Sequence, residues 1–275
     1  DQGTRKEGEG LMHTNYETLH VETIDEHVLL VMYDRPEVRN AKNTQMGIDQ
    51  RDLFQSLYVD LEGHRVVVLT GRGDKAFSAG GDLKERDGMS DADWQRQHAI
   101  FEQAALALRS CPVPVIGAIN GAAFGGGCET ALNVDFCYAA TTARFALTEI
   151  TLGIIPGTMG TQNLPNAMGE RRAKEIIFTG RPFTAQEAFE WGLVNKLCEP
   201  NTLMDETLQT AHRIAANAPL AVQRAKRATT VATQVDRATG YQFELEAYNR
   251  LVGTEDRMEG VRAFNEKRTP DFKGK

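Results

Sequence analysis

The chain has 275 residues, of which 41% are hydrophobic and 25% charged, and its formal net charge is −7. These proportions exclude a disordered or fibrous chain, and the length fits one large domain or one domain with a small appendage. The longest apolar run, at 28–33, is far shorter than the ~18–20 residues of a membrane helix, so no membrane partner is expected. The negative charge repels phosphate backbones, so we expect no nucleic-acid partner.

The four cysteines lie far apart, and no two of them form a Cys-x-x-Cys pair. This spacing predicts neither a disulfide framework nor a metal site, and it favours a reducing compartment. Residues 1–14 are largely polar and mixed in charge, and they lack the apolar core of a signal peptide. We therefore interpret them as a flexible N-terminal tail. We expect a cytoplasmic protein, or a mitochondrial matrix protein if the source is eukaryotic and the chain is processed.

Short apolar runs that end near turn-forming residues predict strands in the first half of the chain. The predicted strands are 18–24, 28–33, 66–70 and 113–119, and two longer helices are predicted at 44–61 and 91–109. Alternation of helices with nearly continuous apolar strands indicates a buried, largely parallel sheet with crossover helices. The fold class is therefore predicted to be α/β.

The second half of the chain shows only helical patterns, at 173–178, 185–191, 203–216, 220–231 and 240–251. Thr184 follows a Gly-Arg-Pro segment and is predicted to cap the second of these helices. We interpret 15–200 as the core and 201–275 as a C-terminal helical region. Because the apolar stripes of that region fall on a chain whose core is already complete, we expect them to mediate oligomerisation.

A run of mostly small residues, from Ala76 to Gly81, follows the strand predicted to end at Thr70, and a helix is predicted to begin near Asp82. Small residues let the backbone approach a ligand closely, and the N–H groups of such a turn can bind an anionic oxygen. The same pattern also suits a tight loop that binds nothing.

Three consecutive glycines at 125–127 follow another predicted strand and open a helix. This arrangement gathers unsatisfied N–H donors and the positive end of the helix dipole at one point. The segment lacks the Lys-Ser/Thr pair of a P-loop and the spacing of a dinucleotide-binding fingerprint. Its donors therefore suit an oxygen that gains negative charge during a reaction, as in an oxyanion hole.

Two glutamates follow the second glycine turn. Glu129 lies in the first helical turn, where a carboxylate can also serve simply as a favourable N-terminal charge. Glu149 is the single acid in an apolar run that ends in Pro156-Gly157, and it can equally be a local cap or half of a salt bridge. Burying an isolated carboxylate is costly, whereas two carboxylates beside an oxyanion hole are what acid–base chemistry on a carbonyl compound needs.

Several motifs, in this order along the chain, resemble those of the crotonase superfamily. Enoyl-CoA hydratases, including the methylglutaconyl-CoA hydratase branch, are closest in appearance. The likeness runs from about Asn15 to Gly274, which is nearly the whole chain. The matching segments are 35–36, 39–41, 77–85, 120–121, 125–129, 154–157, 160–162 and parts of 256–274.

The resemblance implies a spiral of ββα turns followed by C-terminal helices that assemble homotrimers, often as hexamers built from two trimers. It implies that the N–H groups of Gly81 and Gly126 form the oxyanion hole and that Glu129 and Glu149 are catalytic. Lys267, supplied by a neighbouring subunit, is a candidate for binding the CoA phosphates. The other residues implied to bind substrate are Ser78, Ala79, Gly80, Asp82, Gly125, Pro156 and Gly157.

Retention of both glutamates favours hydration of a 2-enoyl-CoA thioester over the other reactions of the superfamily. The expected enzyme is a hydro-lyase of fatty acid metabolism in which Glu129 activates water and Glu149 protonates C2. It needs no metal and no separate cofactor, because CoA is part of the acyl-CoA thioester substrate. Alternatives within the family are hydration or dehydration of methylglutaconyl-CoA or a carnitinyl group, and isomerisation of an enoyl-CoA.

Three departures from the family pattern leave the acyl group open. Lys42 stands where Leu is frequent, Thr158-Met159 replaces a pair of small residues, and Asn163 replaces a frequent Arg. Thr158-Met159 can reshape the acyl pocket or face outwards. His98, on the helix after the first glycine turn, can face the pocket, but a surface position is favoured.

Two functions of other classes are disfavoured. One relative in the family also binds RNA, but the helix that begins near residue 44 is not basic here. A catalytically inactive scaffold is disfavoured by the two retained glutamates.

Overall fold

The computed structural model describes residues 15–275, so the predicted tail at 1–14 lies outside the described residues. The strands are β1 (Leu19–Thr23), β2 (Val28–Tyr33), β3 (Val66–Gly71), β4 (Ala76–Ser78), β5 (Val115–Ile119), β6 (Ala122–Phe124), β7 (Phe136–Ala140), β8 (Arg144–Ala146), β9 (Phe183–Thr184) and β10 (Lys196–Cys198). The helices are α1 (Thr44–Val59), α2 (Leu83–Arg86), α3 (Asp91–Arg109), α4 (Gly126–Asn133), α5 (Gly160–Met168), α6 (Glu170–Thr179), α7 (Ala185–Glu190), α8 (Leu203–Ala215), α9 (Pro219–Ala232), α10 (Arg237–Val252) and α11 (Glu255–Glu266).

The strands form two sheets. The larger has the order β1-β2-β3-β5-β7-β10 and is parallel except for β1, which pairs antiparallel with β2. The smaller has the order β4-β6-β8-β9, in which β4, β6 and β8 are parallel and β9 is antiparallel to β8. Both sheets are therefore dominated by parallel pairing, which requires crossover connections.

The chain visits the two sheets in a repeating order. Each of the pairs β3-β4, β5-β6 and β7-β8 places its first strand in the large sheet and its second in the small sheet, and helices follow each pair. The predicted α/β class and the spiral of ββα turns are thereby confirmed.

The hydrophobic core lies on both faces of the large sheet. Strand β3 is buried along its whole length, as expected for a parallel strand covered on two sides. Helix α1 contributes Leu53, Phe54 and Leu57 to this core and packs against α3. Helix α8 contributes Leu203 and Ala211 to the same cluster, so the first of the C-terminal helices covers the sheet.

Strong local patterns predict their elements well. The bounds predicted for β2 and α3 agree with the structure, and Thr184 forms a capping box with Glu187 at the start of α7. The prediction omits α5, α11, strands β7 and β10 of the large sheet and all the strands of the small sheet. Helix α5 is obscured because it contains Pro165 and begins after Met159, whose φ is 77°.

Asn40 holds the segment that leads into the first glycine turn. It is fully buried and has a φ of 54°, in the left-handed region that Asn tolerates better than most residues. Its Oδ1 accepts a hydrogen bond from the N–H of Arg35 at 3.0 Å, and its Nδ2 donates to the carbonyls of Arg72 at 3.1 Å and Ala76 at 2.9 Å. The side chain therefore joins the chain before α1 to the start of β4.

Replacing Asn40 by Ala removes these three hydrogen bonds and leaves buried backbone groups without partners. We expect the free energy of unfolding to fall by roughly 3 kcal/mol or more, because each orphaned buried polar group costs about 1–3 kcal/mol. Urea unfolding measures the change. The matched control is Asn217→Ala, since exposed Asn217 makes a single bond to the carbonyl of Arg213. Equal stability losses in the two variants would contradict this account.

Candidate active site

A single cavity collects the ends of three parallel strands. In the small sheet Ala76 pairs with Ala122, and Ala122 pairs with Arg144, so β4, β6 and β8 end at the same edge. The chain that follows each strand lines the cavity: the first glycine turn after β4, the second after β6, and Glu149 after β8. The register of this sheet therefore brings together three segments that are far apart in sequence.

The two glycine turns lie against each other and carry free N–H donors. Lys42 bonds to the residues on either side of Gly81, through Lys42 N–H to the carbonyl of Gly80 at 2.7 Å and Asp82 N–H to the carbonyl of Lys42 at 2.9 Å. In a parallel bridge of this kind the N–H of the middle residue, here Gly81, points away from Lys42 and does not bond to it. Gly126 is the first residue of α4, so its N–H has no acceptor within the helix.

Gly80 makes the close approach of the turns possible. Its φ is +90°, and a Cβ placed on it would lie 2.6 Å from the carbonyl oxygen of Phe124 and 3.3 Å from the nitrogen of Gly126. A side chain here would push the two turns apart. Gly81 and Gly126 therefore line the same cavity on two turns that lie in contact.

Glu129 is buried, with 3% of its surface exposed, and is held by three donors. Its Oε1 accepts hydrogen bonds from the backbone N–H groups of Thr158 at 2.7 Å and Gly160 at 2.9 Å. Its Oε2 accepts from the hydroxyl of Thr158 at 2.7 Å. Because a carboxylate offers about four acceptor positions, one stays open towards the cavity.

Glu149 is also buried, with 9% of its surface exposed, but its carboxyl group lacks the hydrogen-bond donors that surround Glu129. Its Oε2 is buried and has no hydrogen-bond partner. Burial raises the pKa of Glu149 to about 7, and the charge of Glu129 adds to the rise, while its own backbone N–H and the Arg86 guanidinium oppose it. Glu149 therefore exists as both acid and base near neutral pH, which suits a residue that exchanges protons.

Gly125 provides the space for Glu149. Its φ is +50°, and an added Cβ would lie 3.3 Å from Oε1 of Glu149. This glycine ends the strand that precedes α4, so the turn that supplies Gly126 also admits the second carboxyl group.

Lys42 is a partly buried cation in the wall of the same cavity. Its Nζ donates a short hydrogen bond to Oγ1 of Thr130 and lies 4.9 Å from the centre of the Tyr33 ring. Burial lowers the pKa of Lys42 to about 8, and the charge of Glu129 opposes the fall. The ammonium form therefore predominates at neutral pH.

Helices α2 and α3 also line the cavity, and the Arg86 guanidinium of α2 lies beside Gly81. The guanidinium of Arg86 stacks on Trp94 at 4.3 Å from the ring centre and donates to Gln97 at 2.7 Å. His98 lines the cavity while 36% of its side chain stays exposed, and a Cβ on Gly157 would lie 2.5 Å from its Nε2. Both expected positions, surface and pocket, therefore apply in part, because α3 presents this residue at the cavity beside the loop that contains Gly157.

The structure brings most of the predicted site residues together. The lining of the cavity includes Ala79, Gly80, Gly81, Gly125, Gly126, Glu129, Glu149 and Gly157. Three others lie beside it: the Ser78 hydroxyl donates to the carbonyl of Asn40, Asp82 caps α2 and pairs with Arg35, and Pro156 is buried under Gly160. Lys267 is exposed at the end of α11 and is not part of the lining.

Thr158 was noted as a departure from the family pattern, but its contact with Glu129 was not predicted. Nothing in the sequence states which way residue 158 faces, since the loop before α5 has no regular period. A hydrogen-bonded chain continues outwards from it: Asn133 donates to the carbonyl of Thr158 at 2.9 Å, and Asn163 donates to Asn133 at 2.8 Å. Arg109 then donates to Asn163 at 3.2 Å. Two of the three departures therefore belong to one network behind Glu129.

Residues 15–275 contain no group of three or more His, Cys, Asp or Glu side chains that could hold a metal ion. In the same residues no helix is long and apolar enough to cross a membrane. The four cysteines are all buried and unpaired.

Replacing Glu149 by Gln removes a titrating group while keeping its shape. The carboxyl pKa rises from 4.5 to about 7 on folding, so the stability that its protonated form provides is complete below pH 4.5 and is lost as the pH rises to about 7. We expect the variant to gain stability relative to the wild type across this interval, by at most about 3 kcal/mol. Above about pH 7 the gap stays constant.

Thermal unfolding of wild type and Glu149→Gln across this pH interval measures the effect, with Glu190→Gln on the exposed end of α7 as the control. A difference that does not change with pH would contradict the raised pKa.

Comparison with known proteins agrees with this geometry. The family model for enoyl-CoA hydratase/isomerase matches residues 23–275. A short-chain-enoyl-CoA hydratase of Clostridium acetobutylicum is 38% identical over 88% of this chain and 92% of its own, and a 2,3-dehydroadipyl-CoA hydratase of Escherichia coli is 38% identical over 91% and 96%. The crystal structure of an enoyl-CoA hydratase from Bacillus anthracis has a TM-score of 0.92 and 42% identity, covering 94% of this chain and 100% of that one. With two abutting glycine turns and two buried glutamates in one cavity, the chain belongs to the enoyl-CoA hydratase/isomerase family of the crotonase superfamily.

Proposed function

We propose that this protein is an enoyl-CoA hydratase that adds water across the C2=C3 bond of a 2-enoyl-CoA thioester. The observation that carries the proposal is the pair of unlike glutamates in one cavity: Glu129 accepts three hydrogen bonds, and Glu149 has an unpartnered oxygen. Hydration needs one group to take a proton from water and one to deliver a proton to carbon. The named hydratases among the relatives agree with this reaction.

Glu129 is the proposed base. Its three donors come from Thr158 and Gly160 and fix the carboxylate in one orientation. The remaining acceptor position can hold one proton of a water molecule whose oxygen faces C3. As the oxygen bonds to C3, that proton passes to Glu129, and the C2=C3 electron pair shifts towards the thioester carbonyl.

Glu149 is the proposed acid, and Gly81 and Gly126 are the proposed oxyanion donors. The thioester oxygen gains charge as the enolate develops, and two N–H groups stabilise it by roughly 3–4 kcal/mol each when well placed. Glu149 then gives its proton to C2, which completes the addition of H and OH. Its pKa of about 7 means that the acid form is available near neutral pH.

Exchange of either glutamate for Gln keeps its shape but removes proton transfer. We expect Glu129→Gln and Glu149→Gln each to lose at least ~10²-fold in turnover of crotonyl-CoA, the low end for a positioned acid or base. The double variant should lose less than the product of the single losses, because groups that act as a unit are not additive. Steady-state kinetics measures all three variants, with folding checked by circular dichroism.

Glu190→Gln serves as the control, because this side chain is exposed and hydrogen-bonds only Gln186 on its own helix. An isomerase that uses one carboxylate would tolerate one of the two exchanges. Near wild-type rates of hydration by either single variant would therefore contradict the two-glutamate mechanism.

We also propose that CoA lies across the first glycine turn, with its adenine against the backbone of Ser78 and Ala79. Ala79 is exposed at the cavity mouth, and the adjoining residues 80–82, including Gly80 and Asp82, shape the turn beneath it. Gly125, Pro156 and Gly157 would border the thioester and acyl parts. No metal and no separate cofactor is needed for this reaction, since the polarising groups are backbone donors.

The proposed assembly is a homotrimer, or a dimer of trimers, built through the C-terminal helices. Large apolar side chains of α10 and α11 support it: Tyr248 is 66% exposed, Val261 55% and Phe264 83%. Such a patch is typical of a surface that packs against another chain. Sedimentation of a single subunit at micromolar concentration would count against it.

The proposed location is the cytoplasm. Four free thiols favour a reducing compartment of this kind.

A substitution at Lys267 tests the proposed CoA site and the proposed assembly together. It is exposed at the end of α11 with a φ of 56°, so in a trimer it can reach a neighbour's bound CoA as a point charge for phosphate. Because Asn tolerates this backbone conformation, Lys267→Asn removes the charge with little strain. We expect the KM for crotonyl-CoA to rise several-fold at low salt and the effect to shrink at high salt. Lys174→Asn, on exposed α6, is the control, and an unchanged KM in Lys267→Asn would refute the assignment.

A further inference from the structure

The mechanism above makes no use of Lys42, although its amine lies in the wall of the cavity. The main chain of Lys42 bonds to Gly80 and Asp82 on either side of the proposed oxyanion donor Gly81. Its side chain reaches Thr130, the residue after Glu129. Lys42 therefore has its main chain beside the proposed oxyanion donor and its ammonium group beside the residue that follows the proposed base.

The ammonium group has more donors than partners. It carries three N–H groups, and Thr130 Oγ1 is the only acceptor that the described residues offer it. No carboxylate of the described residues lies within 4.0 Å of Lys42 Nζ. Glu129 affects it through charge alone, because Thr158 and Gly160 hold that carboxylate in place.

Lys226 shows how this chain pairs a largely buried lysine when the role is structural. Its side chain is 12% exposed, and its Nζ lies 2.7 Å from Asp135 and 2.9 Å from the carbonyl of Val113. The positive charge of Lys226 therefore has a carboxylate within ion-pair distance. Lys42 is also partly buried, but no carboxylate of the described residues lies within ion-pair distance of it, and its ammonium group contacts only Thr130 and the face of the Tyr33 ring. A ligand that covered this cation without supplying an anion would desolvate it at a cost.

The surroundings of Lys42 favour an anion on the acyl group. Gln50, Thr130 and Asn133 line the same cavity, but their side chains already bond within the protein, so the ammonium of Lys42 is the group here with donors left for a ligand. The two donor positions left on the ammonium suit a carboxylate, which can accept both. A simple alkyl chain would gain nothing from this cation and would leave it desolvated and unpaired.

We propose that Lys42 binds a carboxylate carried by the acyl group, so that the preferred substrates are 2-enoyl-CoA thioesters of dicarboxylic acids. This inference rests on the proposed hydratase function and narrows its substrate class. It assigns Lys42 to specificity, and it leaves the roles of Glu129 and Glu149 unchanged.

A pair of thioesters that differ only at the far end of the chain tests the proposal. The probes are 2-hexenoyl-CoA and 2,3-dehydroadipyl-CoA, which has a carboxylate in place of the terminal methyl group. We expect the wild type to prefer the carboxylate by at least ~10-fold in kcat/KM, and Lys42→Met to reduce that ratio by ~10–100-fold, as for loss of a hydrogen bond to a charged group. Lys42→Arg should retain part of the preference, and Lys174→Met, on exposed α6, should retain all of it.

The outcomes separate this inference from the proposed function. Hydration of 2-hexenoyl-CoA with no preference for the carboxylate, or a preference that persists in Lys42→Met, would overturn the role of Lys42 and leave the hydratase intact. Failure to hydrate either probe would overturn the hydratase proposal. Calorimetry compares the affinities of the wild type for saturated adipyl-CoA and hexanoyl-CoA. This comparison tests the carboxylate preference without turnover and without a variant that must fold. Equal affinities for the two would refute the inference.

Discussion

The parallel pairing of β4, β6 and β8 is the constraint on which the site depends. Each of these strands has only three residues, and each ends where a functional segment begins. Because parallel strands present their carboxyl ends at one edge, the pairing delivers two backbone donors and a carboxyl group to the same cavity. A shift of register by one residue would misplace all three, since every following group would move along the edge.

The two glutamates differ in how the protein treats their charge. Glu129 receives three donors from the loop before α5 and the start of that helix, so its ionised form is solvated by the protein. Glu149 enters an environment in which one oxygen has no donor, so its neutral form is favoured. One cavity thus holds two carboxyl groups with different numbers of hydrogen-bond donors, and the difference arises from backbone placement rather than from residue type.

Sequence reasoning located the elements with strong local patterns and the motifs with unusual composition. Strand β2 and helix α3 have long apolar or amphipathic patterns with clear ends, and their bounds were predicted. The strands of the small sheet are too short to show a period, so their positions could not be predicted. The glycine turns and both glutamates were identified as candidates, and most of the proposed substrate residues line one cavity. Their roles in the reaction stay predictions.

What sequence could not provide was the direction in which a side chain points from an irregular segment. Thr158 was noted only as a departure, yet its hydroxyl reaches Glu129. Lys42 follows Asn40 and Ala41 in a loop, where nothing local distinguishes a surface lysine from a buried one. His98 lies on a helix whose period was clear, but the loop that covers it comes from a distant part of the chain. In each case the deciding contact is long-range.

The spiral connectivity has a consequence for the order in which the molecule assembles. Every parallel pairing in the small sheet closes a loop that contains a strand of the other sheet and at least one helix or strand crossover, so the entropy of closure is lost before the contact forms. Folding dominated by such non-local pairings is slow. During synthesis the glycine turns emerge first and the strand before Glu149 follows. A nascent chain that ends before β8 therefore contains both glycine turns and Glu129 but lacks Glu149, so the cavity can be completed only after the third parallel strand of the small sheet has been made.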